Sequence, residues 1–251
     1  MSITANSLIS DSFNFFKNQL SGLFILSFIS ATISLILYYF LVPIDEMVTI
    51  VKSLSSQNDP TQLLTWASQL SDEEKAIMMR VSLLSLTAVF IGLVLLVSSV
   101  VTYLSELSTS NSISALQAFI HSLHILPSML ILLAICTIII YFGFMLFFLP
   151  GVILAIGFSL SPIILITAKN IMPLRAVGQS WRIAFRYWWL ILSILLLWLA
   201  LQMLLTMLLG QFRFLPGVVN NIISFTLNNL LTSFALIYFF RLYMLVGKTK
   251  N

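Results

Sequence analysis

Charged residues are scarce in this sequence. Only 8% of its 251 residues are Asp, Glu, Lys or Arg, whereas 60% are hydrophobic. A water-soluble domain of this length carries roughly 25% charged residues, because its surface must be hydrated. The scarcity of charge excludes a soluble globular protein and predicts a membrane protein.

The sequence has only one cysteine, and it lacks the motifs of enzymes. The single cysteine, Cys136, can form neither an intrachain disulfide nor a cysteine-based metal site. His121 and His124 have a spacing that two metal ligands can use, but no acid or cysteine accompanies them. No phosphate-binding glycine loop, no serine flanked by glycines and no pair of membrane carboxylates occurs. We therefore expect no enzyme, no catalytic residue, no cofactor and no bound metal.

Six apolar stretches are long enough to cross a bilayer, whose hydrocarbon core of roughly 30 Å requires about 20 residues of helix. They cover residues 20–42, 81–104, 128–149, 152–168, 187–209 and 218–246. The fourth is short and contains Pro162, which predicts a kinked or thin span. The sequence thus predicts an all-α, polytopic membrane protein with six transmembrane helices arranged as three hairpins.

No Asp, Glu, Lys or Arg lies near the middle of any of these spans. Glu106 falls at the inner end of the second span, and Arg241 lies roughly 15 Å from the middle of the sixth, close enough for its side chain to reach the surface. Carriers that couple transport to protons usually have charged residues in mid-membrane. The absence argues against such a carrier and leaves an uncoupled or lipid-handling one open.

The placement of the cations predicts the orientation, since lysine and arginine collect in cytoplasmic loops. With the N-terminus inside, the cytoplasmic cations are Lys17, Lys169, Arg175, Arg182, Arg186, Arg241, Lys248 and Lys250. The cations left on the other side are Lys52, Lys75, Arg80 and Arg213. This asymmetry predicts that both termini are cytoplasmic.

An amphipathic segment precedes each odd-numbered span. In the third of these segments, Leu174 and Val177 lie opposite Arg175 and Gln179 at helical spacing. We interpret the three segments as elbow helices in the membrane interface. An elbow and a hairpin then form a unit that is used three times, at about 5–107, 112–168 and 173–246, within a single integral membrane domain that covers 1–251.

Two of the outer turns have nearly the same sequence, Phe148-Leu149-Pro150-Gly151-Val152 and Phe214-Leu215-Pro216-Gly217-Val218. Proline ends a helix and glycine permits a reversal, so each rising span should stop at its proline.

The first outer loop, 43–80, is enlarged and should contain helix. Asn58-Asp59-Pro60 predicts a helix start, and Ser71 with Glu74 forms a capping box. No helix breaker follows before Leu104, so the second of these helices should run for about 33 residues, or roughly 50 Å.

The part of the chain that is richest in arginine and tryptophan leads into the fifth span. It contains Arg175, Arg182 and Arg186 together with Trp181, Trp188 and Trp189. Arginine binds phosphate through paired donors, and tryptophan favours the headgroup level of a bilayer. The cluster is either a general interfacial anchor or a site for anionic phospholipid headgroups.

A stripe of polar residues runs along the sixth span. Asn221, Ser224, Asn228 and Thr232 fall on it, and Gln202 of the fifth span lies at a similar depth. Amides buried in a membrane bond helices to one another, and they can also line a path for a solute. Both interpretations of the stripe stay open from the sequence. The small residues of the first span, Ser27, Ser30, Ala31 and Ser34, predict close helix packing.

Three stretches carry a family likeness: the opening Met1-Ser2-Ile3-Thr4-Ala5, the Leu149-Pro150-Gly151-Val152-Ile153 turn and the closing residues 237–245. They give the chain a resemblance to the YciC-type family of bacterial inner-membrane proteins. It implies a multi-pass protein of the inner membrane and supplies no activity. The central third, with Pro162, Ala176 and Ser180-Trp181-Arg182, is also similar to the membrane domain fused to some glycerophosphodiester phosphodiesterases. Only the membrane arrangement is implied, because this chain carries no soluble catalytic domain.

These features together predict a non-enzymatic protein that organises lipid or a membrane partner in the bacterial envelope. The alternative is a carrier or channel for a small or lipid-like solute. The expected partners are membrane phospholipids and either another membrane protein or further copies of this chain, and we expect no nucleic acid.

Overall fold

A computed structural model describes residues 5–45, 48, 70–109, 113–168, 171–210 and 217–248. Over these residues the chain forms α-helices and no strand. The first five helices are α1 (Ala5–Asn18), α2 (Leu20–Leu41), α3 (Asp72–Ser108), α4 (Ala115–Ser122) and α5 (Leu126–Leu146). The others are α6 (Phe148–Phe158), α7 (Ser161–Thr167), α8 (Pro173–Arg186), α9 (Trp188–Leu209) and α10 (Gly217–Lys248). The all-α prediction is confirmed.

The described residues include six helical segments that are long and apolar enough to cross a membrane. Five of them are α2, α3, α5, α9 and α10, and the sixth is α6 continued by α7, Phe148–Thr167. Each coincides with one of the predicted spans to within a few residues, except for the longer α3. The chain is therefore a multi-pass helical membrane protein, as the sequence predicted.

Helix α3 starts where the capping box predicts. The Ser71 N–H donates to Glu74 Oε2 at 2.8 Å, and the Glu74 N–H donates to Ser71 Oγ at 3.2 Å. The helix has 37 residues, so it is about 55 Å long and ends at Ser108, four residues beyond the prediction. The predicted helix start at Asn58-Asp59-Pro60 lies outside the described residues.

The chain divides into two compact units. One consists of Thr32–Gly92, in which Ser34, Leu35 and Ala88 are buried. The other consists of Met1–Ala31 and Leu93–Asn251 and contains the polar contacts discussed below. In this larger unit, Tyr103 Oη donates to Gln19 Oε1 at 2.8 Å, and the tyrosine ring lies where a side chain on Gly22 would be. The predicted single domain and its three repeat units stay a prediction.

A short helix precedes α2, α5 and α9, and each of these short helices has a narrow buried face, which small residues form in α4 and α8. Helix α8 buries Ala176, Ser180 and Ala184, and α4 buries Ala115, Ala118 and Ser122. Helix α1 buries Leu8 and Ser12 in the same way. The large apolar residues of the amphipathic pattern, including Leu174 and Leu116, stay exposed. Small residues bring these helices close to the rest of the protein and leave their apolar stripes facing outward.

The expectation that Pro150 ends the third span is wrong. Helix α5 stops at Leu146, Phe147 alone is extended with φ −158° and ψ 155°, and α6 begins at Phe148. Pro150 therefore lies in the first turn of the descending helix, where its missing N–H leaves no bond unmade. The corresponding residues 214–216 of the later turn lie outside the described residues.

Gly151 has a different role from the one that the sequence suggested. It lies in helix α6 and is buried, and a Cβ at this position would come within 2.4 Å of the Phe144 ring. The glycine thus allows α5 and α6 to approach each other, and the reversal itself is made by Phe147.

The predicted kink at Pro162 is confirmed as a break between two helices. Helix α6 ends at Phe158 and α7 begins at Ser161, with Pro162 in its first turn. Ser180 of α8 occupies the break: its Oγ donates to the Gly157 carbonyl at 2.6 Å and accepts from the Leu160 N–H at 3.2 Å. One hydroxyl therefore satisfies two backbone groups at the break, which hydrocarbon could not do.

We expect Gly151→Ala to destabilise the protein by about 1–3 kcal/mol, because the added methyl group must displace the Phe144 ring. Gly178→Ala is the matched control, since nothing lies within 4 Å of a Cβ at that helical position. The control should be neutral or stabilise the protein by about 0.5–1 kcal/mol. Thermal unfolding in detergent, followed by circular dichroism, measures both; equal behaviour of the two variants would contradict the close packing at Gly151.

Candidate functional site

The three predicted arginines all lie on α8 and all are exposed. Arg175 and Arg182 are seven residues apart, and Arg186 follows in the last turn of the helix. Within the described residues, none of the three forms an ion pair with a carboxylate. Arg186 lies 5.9 Å from the centre of the Tyr187 ring. The helix therefore presents three guanidinium groups whose charge is not neutralised by any acid that the structure describes.

The three predicted tryptophans separate into two environments. Trp188 and Trp189 begin α9, stay 47% and 64% exposed, and meet edge to face with 5.3 Å between ring centres. Trp181 instead packs against Gly157, where a Cβ would come within 2.2 Å of its ring. Its ring centre lies 4.7 Å from that of Phe185. Trp181 thus docks α8 onto α6, whereas the other two are free to contact lipid.

The predicted polar stripe bonds α9 to α10. Gln202 Nε2 donates to the Asn228 carbonyl at 3.2 Å and to Thr232 Oγ1 at 3.5 Å. Trp198 Nε1 also donates to Thr232 Oγ1, at 3.4 Å. Asn228 Nδ2 turns back to the Ser224 carbonyl, at 2.9 Å. The structure therefore brings together Gln202, Asn228 and Thr232, with Ser224 one turn before them.

A second polar stripe on α10 was missed from the sequence. Asn229 Nδ2 donates to the Ser27 carbonyl at 3.2 Å, and the Ser27 and Ser233 hydroxyls lie 3.4 Å apart. These contacts attach α10 to α2 on the side away from Gln202. The neighbouring pairs of asparagines, together with the small residues of the first span, were the signal that could have found it.

Two amide oxygens of α10 are left over. Asn220 Oδ1 and Asn228 Oδ1 are buried and accept no hydrogen bond from the residues that the structure describes. The two residues are eight positions apart, or about 12 Å along the helix. A buried polar atom without a partner is unfavourable, so a donor such as water would stabilise each of them. Asn221 is half-buried on the same helix, about 10 Å from Asn228.

A cavity of about 240 Å³ lies among α1, α3 and the last turns of α10. Its walls are mostly apolar, and its charged residues are Asp11 and Arg241. The Arg241 guanidinium lies over the Phe15 ring, 4.7 Å from its centre. This cavity could not be predicted from the sequence, because its walls come from three helices that are far apart in the chain. Asn228 does not line it.

The two histidines have no Cys, Asp or Glu grouped with them among the described residues. His121 and His124 are exposed, one in α4 and one just after it. In the part of the chain that the structure describes, no three His, Cys, Asp or Glu residues are grouped so that they could hold a metal ion.

Comparison with other proteins places the chain among membrane proteins. The model of a family described as "Uncharacterised protein family (UPF0259)" matches residues 1–245. A UPF0259 membrane protein of Photorhabdus laumondii is 36% identical over 254 residues, which cover 100% of this chain and 99% of that protein. UPF0259 membrane proteins of Yersinia pestis and Yersinia pseudotuberculosis are each 37% identical over 251 residues, covering 98% of this chain and 97% of theirs. No solved structure matches.

The matches extend over essentially the whole length on both sides, and they confirm the resemblance to the YciC-type proteins. The similarity of the central third to a phosphodiesterase membrane domain stays a prediction. The family model and these relatives cover nearly the whole chain, and its described residues include six apolar helices, so the chain belongs to the UPF0259 family of membrane proteins.

Proposed function

We propose that this protein is a non-enzymatic organiser of phospholipids, or of a membrane protein partner, in the bacterial inner membrane. The observation that carries the proposal is the surface formed by α8 and the start of α9. Here three exposed arginines, which form no ion pair with an acid in the described ranges, lie beside the exposed Trp188 and Trp189. We call this surface the α8 arginine surface.

The chemistry of the α8 arginine surface suits anionic lipid headgroups. A guanidinium group donates paired hydrogen bonds to a phosphate, and each cation near an anionic leaflet contributes roughly 1 kcal/mol. Tryptophan prefers the headgroup level, because its ring is apolar and its N–H needs a polar partner. The buried face of Ala176, Ser180 and Ala184 holds α8 against the protein, so that the arginines stay at one level.

The exposed apolar stripes of α1, α4 and α8 support an interfacial position for these helices. Leu116, Ile120 and Leu174 are each more than half exposed, although water would disfavour such side chains. A helix with an outward apolar stripe and an opposite polar face lies in the plane of the interface. In this position the elbows would border the lipid that the protein organises.

We expect Arg182→Ala combined with Arg186→Ala to lower the affinity for phosphatidylglycerol roughly tenfold to thirtyfold, since two headgroup contacts are lost. Mass spectrometry of lipids that copurify with the full-length protein measures the effect. Arg80→Ala is the matched control, because Arg80 is exposed on α3 and outside the α8 arginine surface. An unchanged lipid content in the double variant would leave only the role of a general anchor.

The excess of cations on one side predicts the orientation of the chain. We expect a green fluorescent protein fused at either terminus to fluoresce, because it folds only in the cytoplasm, and an alkaline phosphatase fused there to be inactive. The same two reporters inserted after Asn58 of the first outer loop should give the opposite pattern. Active phosphatase at either terminus would contradict the proposed orientation.

A carrier or channel is the second candidate. It is favoured by the buried side-chain oxygens of Asn220 and Asn228, which accept no hydrogen bond from the described residues. Such a path would have to admit water as far as Asn228. In a Cys136→Ser background, we expect Asn228→Cys to resist a membrane-impermeant methanethiosulfonate reagent, because one trapped water satisfies an amide oxygen without an open path. Ser71→Cys, which is exposed, is the reactive control. Modification of Asn228→Cys at the rate of the control would favour the carrier over the organiser.

A further inference from the structure

The cavity among α1, α3 and α10 combines one acid, one base and apolar walls. Asp11 is exposed at its edge and Arg241 is half-buried. Both residues lie in the described part of the chain, and neither has an ion-pair partner there, although they line the same cavity. Two opposite charges held in one pocket without joining each other match a ligand that carries both charges at a fixed separation.

Phe15 fixes the orientation of the base. The guanidinium of Arg241 lies 4.7 Å from the centre of the Phe15 ring, which is the geometry of a cation–π contact. Such a contact uses the flat face of the guanidinium and leaves the N–H groups at its edge free to donate. Arg241 is therefore held ready to bind a phosphate or a carboxylate.

The position of Arg241 along α10 identifies the surroundings of the cavity. It lies about 14 Å from the midpoint of the apolar segment Gly217–Val246, at 1.5 Å per residue. The hydrocarbon core of a bilayer ends about 15 Å from its centre, where the phosphates and amines of the headgroups begin. The cavity thus lies at the depth of lipid headgroups.

We propose that this cavity binds the headgroup of one phosphatidylethanolamine molecule, with its phosphate on Arg241 and its ammonium group on Asp11. A volume of about 240 Å³ is below the roughly 300–1,000 Å³ of pockets for drug-sized ligands, so it holds a headgroup and leaves the acyl chains in the bilayer. Apolar side chains such as Leu104 and Ile237 face the glycerol and the first methylenes. The proposal extends the proposed lipid-organising function to a second site, which does not involve the α8 arginine surface.

The carboxylate makes the site selective among lipids. The ammonium of phosphatidylethanolamine carries three N–H donors for Asp11. Phosphatidylcholine has the same charges but a trimethylated nitrogen without a donor, and phosphatidylglycerol has no cation. The site should therefore prefer ethanolamine to choline and glycerol headgroups, whereas the α8 arginine surface responds to net negative charge.

Native mass spectrometry of the delipidated full-length protein tests the proposal, with palmitoyl-oleoyl phosphatidylethanolamine, phosphatidylcholine and phosphatidylglycerol added in separate titrations. We expect Arg241→Gln to weaken binding of phosphatidylethanolamine by about tenfold, because charge-assisted bonds to the phosphate are lost. Asp11→Asn should weaken the binding of phosphatidylethanolamine by about fivefold and leave the binding of phosphatidylcholine unchanged. The preference for ethanolamine over choline headgroups should therefore disappear. Arg80→Gln is the control for the loss of an exposed arginine, and it should change the affinity for neither lipid.

Two results would overturn the proposal. One is an unchanged affinity for phosphatidylethanolamine in Asp11→Asn, a variant of an exposed residue that needs no rearrangement of the protein to fold. The other is a fall in melting temperature that is the same in both variants and does not depend on added phosphatidylethanolamine. That result would mean that the two residues stabilise the fold and do not bind the lipid. Neither result concerns Arg182 and Arg186, whose effect is measured on the binding of phosphatidylglycerol. The proposals for the two lipid sites are therefore tested separately.

Discussion

Backbone hydrogen bonding in a solvent that offers none is the constraint on which this structure depends. Hydrocarbon cannot satisfy an exposed N–H or carbonyl, so every stretch in the membrane must be helical or receive help from a neighbour. The break between α6 and α7 is the place where the rule is tested. There the Ser180 hydroxyl bonds the Gly157 carbonyl and the Leu160 N–H, and the helix that carries Ser180 is thereby fixed to the span. A local defect in one helix thus becomes the attachment point of another.

Small residues determine how closely the other helices approach one another. Gly151 and Gly157 admit aromatic rings to within contact of the backbone, and Ala176 and Ala184 let α8 lie close to its neighbours. In lipid, helices gain little from hiding apolar surface, so close contact and interhelical bonds such as those of Gln202 hold them together. Large apolar residues occur both inside, as at Leu96 and Ile163, and outside, as at Leu146 and Met207. A water-soluble bundle would leave far fewer of them on its outer face.

The sequence predicted those features that depend on local pattern. The lengths of the apolar stretches predicted the six spans, and the capping box of Ser71 and Glu74 predicted the start of α3. Pro162 predicted the break in the fourth span. It failed at the turn after α5, because Phe147 bears no turn signature and Pro150 fits the first turn of a helix as well as the end of one. The separate roles of the tryptophans and the cavity at Asp11 and Arg241 depend on helices distant in the chain, and no periodicity within one segment reports such contacts.

Helix α9 has the smallest buried share among the membrane segments, 17% of its most apolar stretch. Its inward line of Ile191, Ile194 and Trp198 makes the contacts, and leucines and methionines cover the rest. Hydrocarbon scarcely distinguishes one aliphatic side chain from another, so these outer positions can exchange Leu, Met and Ile among themselves with little consequence for folding. Evolutionary drift should therefore accumulate on the lipid side of this helix, and a chain can diverge far from its relatives there while its interior stays the same.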